Sequence, residues 1–203
     1  MMEFRLGQTR LTIRFGFVAV LTLSALLDPS GWGVLGLLAA LLHELGHLFC
    51  CLVLKHPPKA LELTCFGPAL IPREGLPSLK QELLILFSGS GVNLLCAGLC
   101  FWAGQWVPQI GVFGLFHLAF GLLNLFPAQG LDGGKALSLL FEHCFGCLWG
   151  QRLFHIIQFV FLLSFTTICL YWTVQQQLHW TGLVFCSYLW LAALLPSPGR
   201  NTK

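Results

Sequence analysis

The chain has 203 residues, of which 56% are hydrophobic and only 9% charged, where a soluble domain carries about a quarter charged residues. Apolar runs recur from end to end, so the composition marks an integral membrane protein with little room for a separate soluble domain. A formal charge of +3 is too small to argue for nucleic acid, and what matters is where the positive charges lie.

Apolar runs occur at about 11–27, 32–54, 82–104, 110–126, 153–173 and 180–195. Each is near the roughly 20 residues that cross the hydrocarbon, the first, fourth and sixth being short. They predict a single all-α membrane domain over residues 1–203, with six transmembrane helices. Arg5 and Arg10 precede the first run and Arg14 stands near its start; Lys55, Lys59, Arg73 and Lys80 lie between the second and third. Lys135 and Arg152 lie between the fourth and fifth, and Arg200 and Lys203 follow the sixth. All 11 basic residues thus fall on one side, which the positive-inside rule makes cytoplasmic, with both termini. The basic residues before Phe15–Leu27 also fit a secretory signal peptide. The length of that basic region and the turn signal Asp28-Pro29-Ser30-Gly31 favour a retained helix.

The second run contains His43-Glu44-Leu45-Gly46-His47. Histidines four apart on a helix share one face, about 6 Å apart along the axis, so both imidazoles can bind one Zn²⁺. The glutamate between them then stands beside the metal as a proton acceptor. Ionisable groups in hydrocarbon are expensive and mark function. Catalysis by a zinc hydrolase inside the membrane is the reading.

After that run His56-Pro57-Pro58 stops the helix. Leu61, Leu63 and Cys65 alternate with Glu62 and Thr64, the period of a strand, before Gly67, Pro68 and Pro72 break the pattern. The segment reads either as an interfacial loop or as a membrane-edge strand or hairpin. As an edge strand near the site, it would receive extended substrate by strand addition. The third run carries Ser88-Gly89-Ser90-Gly91-Val92-Asn93. Its glycines suit close helix packing, and Asn93 is open between packing and lining the site. Trp106 and Pro108 mark the outer surface.

The fourth run ends in Asn124-Leu125-Phe126-Pro127-Ala128-Gln129-Gly130-Leu131-Asp132-Gly133-Gly134-Lys135. A proline and three glycines break the helix at membrane depth, which is tolerated where backbone lines a cavity or is buried in protein. Asp132 precedes a predicted helix at 135–149 and is either its N-cap or a third zinc ligand. His117, seven residues before Asn124 on the same face, either lines the cavity or packs, with packing the preferred reading. Cys144 and Cys147 have a CxxC spacing without a second ligand pair, and read as ordinary helix residues. His155 and His179 suit interfaces. Of the 9 cysteines, Cys50, Cys51, Cys96, Cys100, Cys169 and Cys186 lie in apolar runs and behave as small hydrophobes. Cys65, Cys144 and Cys147 fall on the cytoplasmic side, where thiols stay reduced.

Zinc hydrolases hold the metal by three protein ligands and leave a position for water. Among the acids, Asp28 is on the wrong side and Glu3 is in a charged terminus. Asp132 alone sits in a broken-helix segment at the cytoplasmic side of the membrane. Zn²⁺ with ionised Asp132 and Glu44 sums to zero charge, which lowers the cost of burial.

His43-Glu44-Leu45-Gly46-His47 in one span, with Asn124-x-x-Pro127-x-x-x-Leu131-Asp132-Gly133-Gly134 after a later one, resembles the site-2 protease family of intramembrane zinc metalloproteases. The compact layout is most similar to the bacterial stage IV sporulation branch. Ser88–Asn93 is similar to that group's Gly-rich segment, with Ser90 where proline is usual. The resemblance covers about residues 11–175. It implies His43, His47 and Asp132 as zinc ligands, Glu44 as catalytic base, and Asn124 and Asn93 near the substrate. It implies membrane-protein substrates cut in or at the lipid bilayer of a bacterial plasma membrane, an inhibitory membrane partner, and no nucleic acid. Neither a PDZ nor a nucleotide-sensing domain is expected. A catalytically silent scaffold is the alternative, and the intact Glu44 argues against it. A metal transporter would need more facing polar residues than His117, Asn93 and Asn124. The other membrane HExxH family carries an ExxxD motif, which is missing here.

Overall fold

The computed structural model describes residues 2–6, 9–15, 17–19, 22, 26, 28, 31–64, 67–71, 78–176 and 180–194. The chain forms two units, Met1–Asn124 and Leu125–Lys203.

The first unit contains a four-stranded sheet of β1 (Met2–Leu6), β2 (Thr9–Ile13), β3 (Ala60–Thr64) and β4 (Gly67–Ile71), in that spatial order. β1 and β2 form an antiparallel hairpin, as do β3 and β4, and the two hairpins join through parallel pairing of β2 with β3. Alternation does the local work: Leu61 and Leu63 are buried while Glu62 between them is half-buried. Arg14 donates from Nε to Glu62 Oε2 at 2.9 Å, tying the end of β2 to β3. Two expectations change here. Residues 11–13 are strand rather than the start of a first helix; half of 14–27 lies outside the described residues, and of the other half Phe15, 17–19, 22 and Leu26 are helical. The strand Ala60–Thr64 is interior, with both backbone edges used by β2 and β4, so the edges of the sheet are β1 and β4. Cys65 lies outside the described residues. The fold is mostly helical, but the sheet makes it more than all-α.

Three helices complete this unit. α1 (Trp32–Val53) begins where Asp28 Oδ2 accepts from the Gly33 N–H at 2.7 Å, satisfying one of the orphan donors of the first turn. α2 (Leu79–Ala103) opens with a capping box, Ser78 accepting from Gln81 N–H while Gln81 reaches back to Ser78 N–H. This start lies ahead of the expected 82. α3 is Pro108–Asn124. Glycines set the approach of these helices. A Cβ on Gly114 would stand 3.0 Å from Cys100 Cβ, and one on Gly46 only 3.1 Å from Gly89 Cα. Small residues at crossings are what lipid-embedded helices use, since hydrocarbon gives them no hydrophobic incentive to associate.

The second unit contains α4 (Asp132–Phe145), α5 (Cys147–Val174) and α6 (Thr181–Leu194). Its core is Ala128, Leu162 and Leu189, flanked by the Phe126 ring against Phe161 at 5.0 Å. The helix expected at 135–149 ends at Phe145, because Gly146 turns the chain at φ 79° and α5 starts at once. Gly150 then crosses α4 closely, a Cβ there meeting Glu142 N at 2.5 Å.

Among the described residues α1, α2 and α5 are long and apolar enough to span a bilayer, with mean hydropathies of 1.8, 1.9 and 2.1. α3 and α6 are shorter apolar helices. Outward side chains of α1, α2 and α5, such as Phe49, Leu95, Leu99, Phe159 and Leu163, are exposed. A soluble helix would turn them inward, whereas lipid tolerates them, so this is a membrane protein.

Candidate metal centre

His43 and His47 lie one turn apart on α1, both buried, with their Nε2 atoms 3.1 Å apart. Two nitrogens on a tetrahedral zinc at about 2.0–2.1 Å stand roughly 3.3 Å apart. The pair therefore fits that ion without rearrangement. Glu44 joins them: one carboxylate oxygen and one nitrogen of each ring all lie within 4.8 Å of one another. Glu44 is half-buried, while its two neighbours in the cluster are buried.

The rings are held from behind. His47 donates its Nδ1–H to the Ile85 carbonyl on α2 at 2.6 Å. A neutral ring with its proton fixed on Nδ1 has a bare Nε2, the form that binds a metal. Ser88 donates its hydroxyl to the same carbonyl at 2.6 Å. His43 presents its Nδ1 to Asn93 Nδ2 at 3.4 Å, and Asn93 Oδ1 stands 3.0 Å from Nδ1 of His117 on α3. Asn93 and His117 are completely buried. The His117 ring stands edge-on to Phe113, and its Nε2 has no hydrogen-bond partner among the described residues. Gly89 forms the wall facing both ligand rings. A Cβ there would overlap His47 Nε2 and come within 2.8 Å of His43 Cε1.

Of the residues picked out in the sequence, His43, Glu44 and His47 form one cluster and Asn93 adjoins it. Asn124 is at the end of α3, its Nδ2 donating to Phe120 O of its own helix at 3.0 Å. Asp132 belongs to the second unit. It is the first residue of α4 and buried; Leu131 takes the N-cap position without a side-chain bond, and Lys135 Nζ donates to Asp132 Oδ1 at 3.1 Å. Around Asp132 the glycines have a steric cause. A Cβ on Gly133 would strike the Leu125 carbonyl, and one on Gly134 the Ala128 carbonyl. The turn is fastened by Gln158 of α5, whose Oε1 accepts from Gln129 N–H at 3.2 Å. Sequence reasoning missed Ile85 and named Ser88 without this role; it preferred packing for His117 and missed Gln158. A polar residue on an apolar helix was the only signal for the last two, and a backbone carbonyl gives none.

No family model matches the chain. A protein of Synechocystis sp. described as "Putative zinc metalloprotease" is 34% identical over 127 residues, covering 52% of this chain and 31% of that protein. Stage IV sporulation protein FB of Bacillus subtilis is 29% identical over 115 residues, covering 52% of this chain and 38% of that protein. The chain thus spans well under half the length of the curated relatives it matches. In fold it is similar to the site-2 protease from Methanocaldococcus jannaschii, with a TM-score of 0.63 at 16% identity over 100% of this chain and 99% of that one.

Proposed function

We infer that this chain, a member of the site-2 protease family on its relatives and its fold, is an intramembrane zinc metalloendopeptidase. Its substrates are membrane-embedded or membrane-associated regulatory proteins, cut in the course of regulated intramembrane proteolysis. One observation carries the reading: two buried imidazole nitrogens 3.1 Å apart, with the Glu44 carboxylate beside them, on a helix apolar enough to span a bilayer. Burying those groups in hydrocarbon without a cation would leave polar atoms to satisfy at high cost.

In this reading His43, His47 and Asp132 hold the metal. When bound, zinc supplies Lewis acidity toward the scissile carbonyl and acidifies the attacking water. Glu44 takes the proton from that water and returns it to the leaving amine. His47, held by Ile85, keeps its bare nitrogen toward the metal face. Asp132 neutralises charge, and its support is the broken-helix motif it shares with the family together with its place at the head of α4. A helical substrate shields its carbonyls, so it must unwind before hydrolysis. β4, the edge strand paired to β3, is the backbone that would receive it by strand addition; cleavage unaffected by proline at Gly67, Ala69, Leu70 or Ile71 in turn would remove that role. Six spans with both termini cytoplasmic, in a bacterial plasma membrane, complete the proposal. A silent scaffold is not favoured, since Glu44 serves hydrolysis and not binding.

The test is cleavage of single-span substrates by wild type and Glu44→Gln in the same membranes. We expect cleavage by wild type alone, with zinc retained by both proteins. Equal cleavage by the variant would sink the role of Glu44. Asp132→Ala is expected to lose zinc, and full stoichiometry would remove it from the ligand set.

A further inference from the structure

We propose that Asn93 and His117 are positioning residues for His43, forming a buried relay whose hydrogen-bond polarity is set by the metal. The proposal rests on the zinc reading above and adds what the ion imposes on the helices behind it.

Each neutral imidazole carries one proton, and the two ends of the Asn93 amide are nearly the same shape but opposite in polarity. His47 has its proton fixed on Nδ1 by the Ile85 carbonyl, so its Nε2 is bare. Among its contacts, His43 meets His47 Nε2 at 3.1 Å and the Asn93 amide at 3.4 Å. Two orders are open to these positions, the second only with a cation to meet the two facing Nε2 atoms. In one, His43 Nε2–H donates to His47 Nε2, Asn93 Nδ2 donates to His43 Nδ1, and His117 Nδ1–H donates to Asn93 Oδ1. In the other, the donors and acceptors from His43 Nδ1 through Asn93 to His117 are exchanged, and His43 Nε2 is bare like His47 Nε2. His43 bears its proton on Nδ1 and gives it to Asn93 Oδ1, Asn93 Nδ2 donates to His117 Nδ1, and His117 carries its proton on Nε2.

Zinc on His43 Nε2 requires that nitrogen to be bare, which selects the second order. Metal loading then moves one proton within each ring, His43 from Nε2 to Nδ1 and His117 from Nδ1 to Nε2, with a half-turn of the amide. No proton is gained or lost overall. The packing supports a positioning role over a filling one. Asn93 and His117 are wholly buried in an apolar bundle, where an apolar side chain would fill the same space at less cost. Gly121 keeps α3 close enough for the contact, a Cβ there standing 3.3 Å from Asn93 Cβ. His117 is what satisfies the second end of the amide.

The experiment uses the full chain in detergent, labelled with ¹⁵N in its histidine rings, with zinc bound and after chelation. The His117 resonances are identified by their loss in His117→Gln. The expected result is a His117 Nδ1 that is bare with zinc and protonated after chelation. An unchanged His117 tautomer overturns the proposal. In parallel, chelator competition should show Asn93→Leu binding zinc about 10–100-fold more weakly. Asn93→Asp, which still accepts from His43 Nδ1–H, should recover much of that loss, and His117→Phe should lose less than Asn93→Leu. Equal affinity of wild type and Asn93→Leu refutes positioning while leaving the metal site intact. Wild type that takes up no zinc, or His43→Leu that keeps it in full, defeats the underlying metal reading and the relay with it.

Discussion

Gly89→Ala tests whether α2 shapes the metal face of α1. An added methyl would lie 2.7 Å from His47 Cε1 and 2.8 Å from His43 Cε1, against an ordinary contact of at least 3.4 Å. The rings must therefore retreat by about 0.7 Å, several times the roughly 0.2 Å that metal–ligand distances tolerate. They are not free to swing. His47 would strain its 2.6 Å bond to Ile85, and His43 is backed by Asn93. Overpacking of this kind costs about 1–3 kcal/mol. If that falls on the metal-bound geometry, zinc affinity drops by about 5–150-fold at 1.4 kcal/mol per decade. The control is on the same helix: Gly91→Ala meets nothing within 4 Å. Zinc competition against a chelator, run on wild type and both variants, reads the difference. Wild-type affinity in Gly89→Ala, with the fold intact, would refute the placement of α2 against the two imidazoles.

The second unit gives two further predictions. In Gly134→Ala the new methyl falls on the Ala128 carbonyl, backbone that cannot swing aside, so the thermal midpoint of the full chain should drop by the equivalent of at least about 1–3 kcal/mol. Gly98→Ala, which meets nothing within 4 Å, should be neutral, and equal midpoints for the two would remove the close packing of the α4 start. Gln158→Leu removes an acceptor of Gln129 N–H at a cost of about 1 kcal/mol, so that amide should exchange faster with solvent. Unchanged exchange would mean the turn is held by something other than Gln158.

What was legible in the sequence depended on range. His43, Glu44 and His47 were readable because a helix brings residues four apart together whatever surrounds it. β3 was readable from the alternation of Leu61, Glu62 and Leu63, but its neighbours were not. β2 is parallel to it and some fifty positions earlier, with Arg10 paired to Ala60, and nothing local reports such a pairing. That same strand, TRLTI, alternates as clearly as β3 does, yet its apolar residues run into the hydrophobic stretch after it and read as one span. The Ser78–Gln81 capping box was a local signal, and it moves the start of α2 ahead of its first apolar residues. His117 illustrates the opposite limit. Its helical face was predictable, but its partner Asn93 is on another helix, so its role follows only from packing.

One helix crossing accounts for most of the metal centre in the first unit. Gly46 and Gly89 meet where α1 crosses α2, a Cβ on Gly46 standing 3.0 Å from Ser88 O. On α1 the residues on that face are His43, Gly46 and His47; on α2 they are Ile85, Gly89 and Asn93, four apart along one stripe. Setting glycine against glycine therefore brings Ile85 O to His47 and the Asn93 amide to His43 in a single step. A larger residue at either position would part the helices and loosen both rings together. The glycines are accordingly as much a part of the ligand geometry as the histidines, and substitutions at Gly46 and Gly89 should share one defect, loss of zinc, rather than add independently.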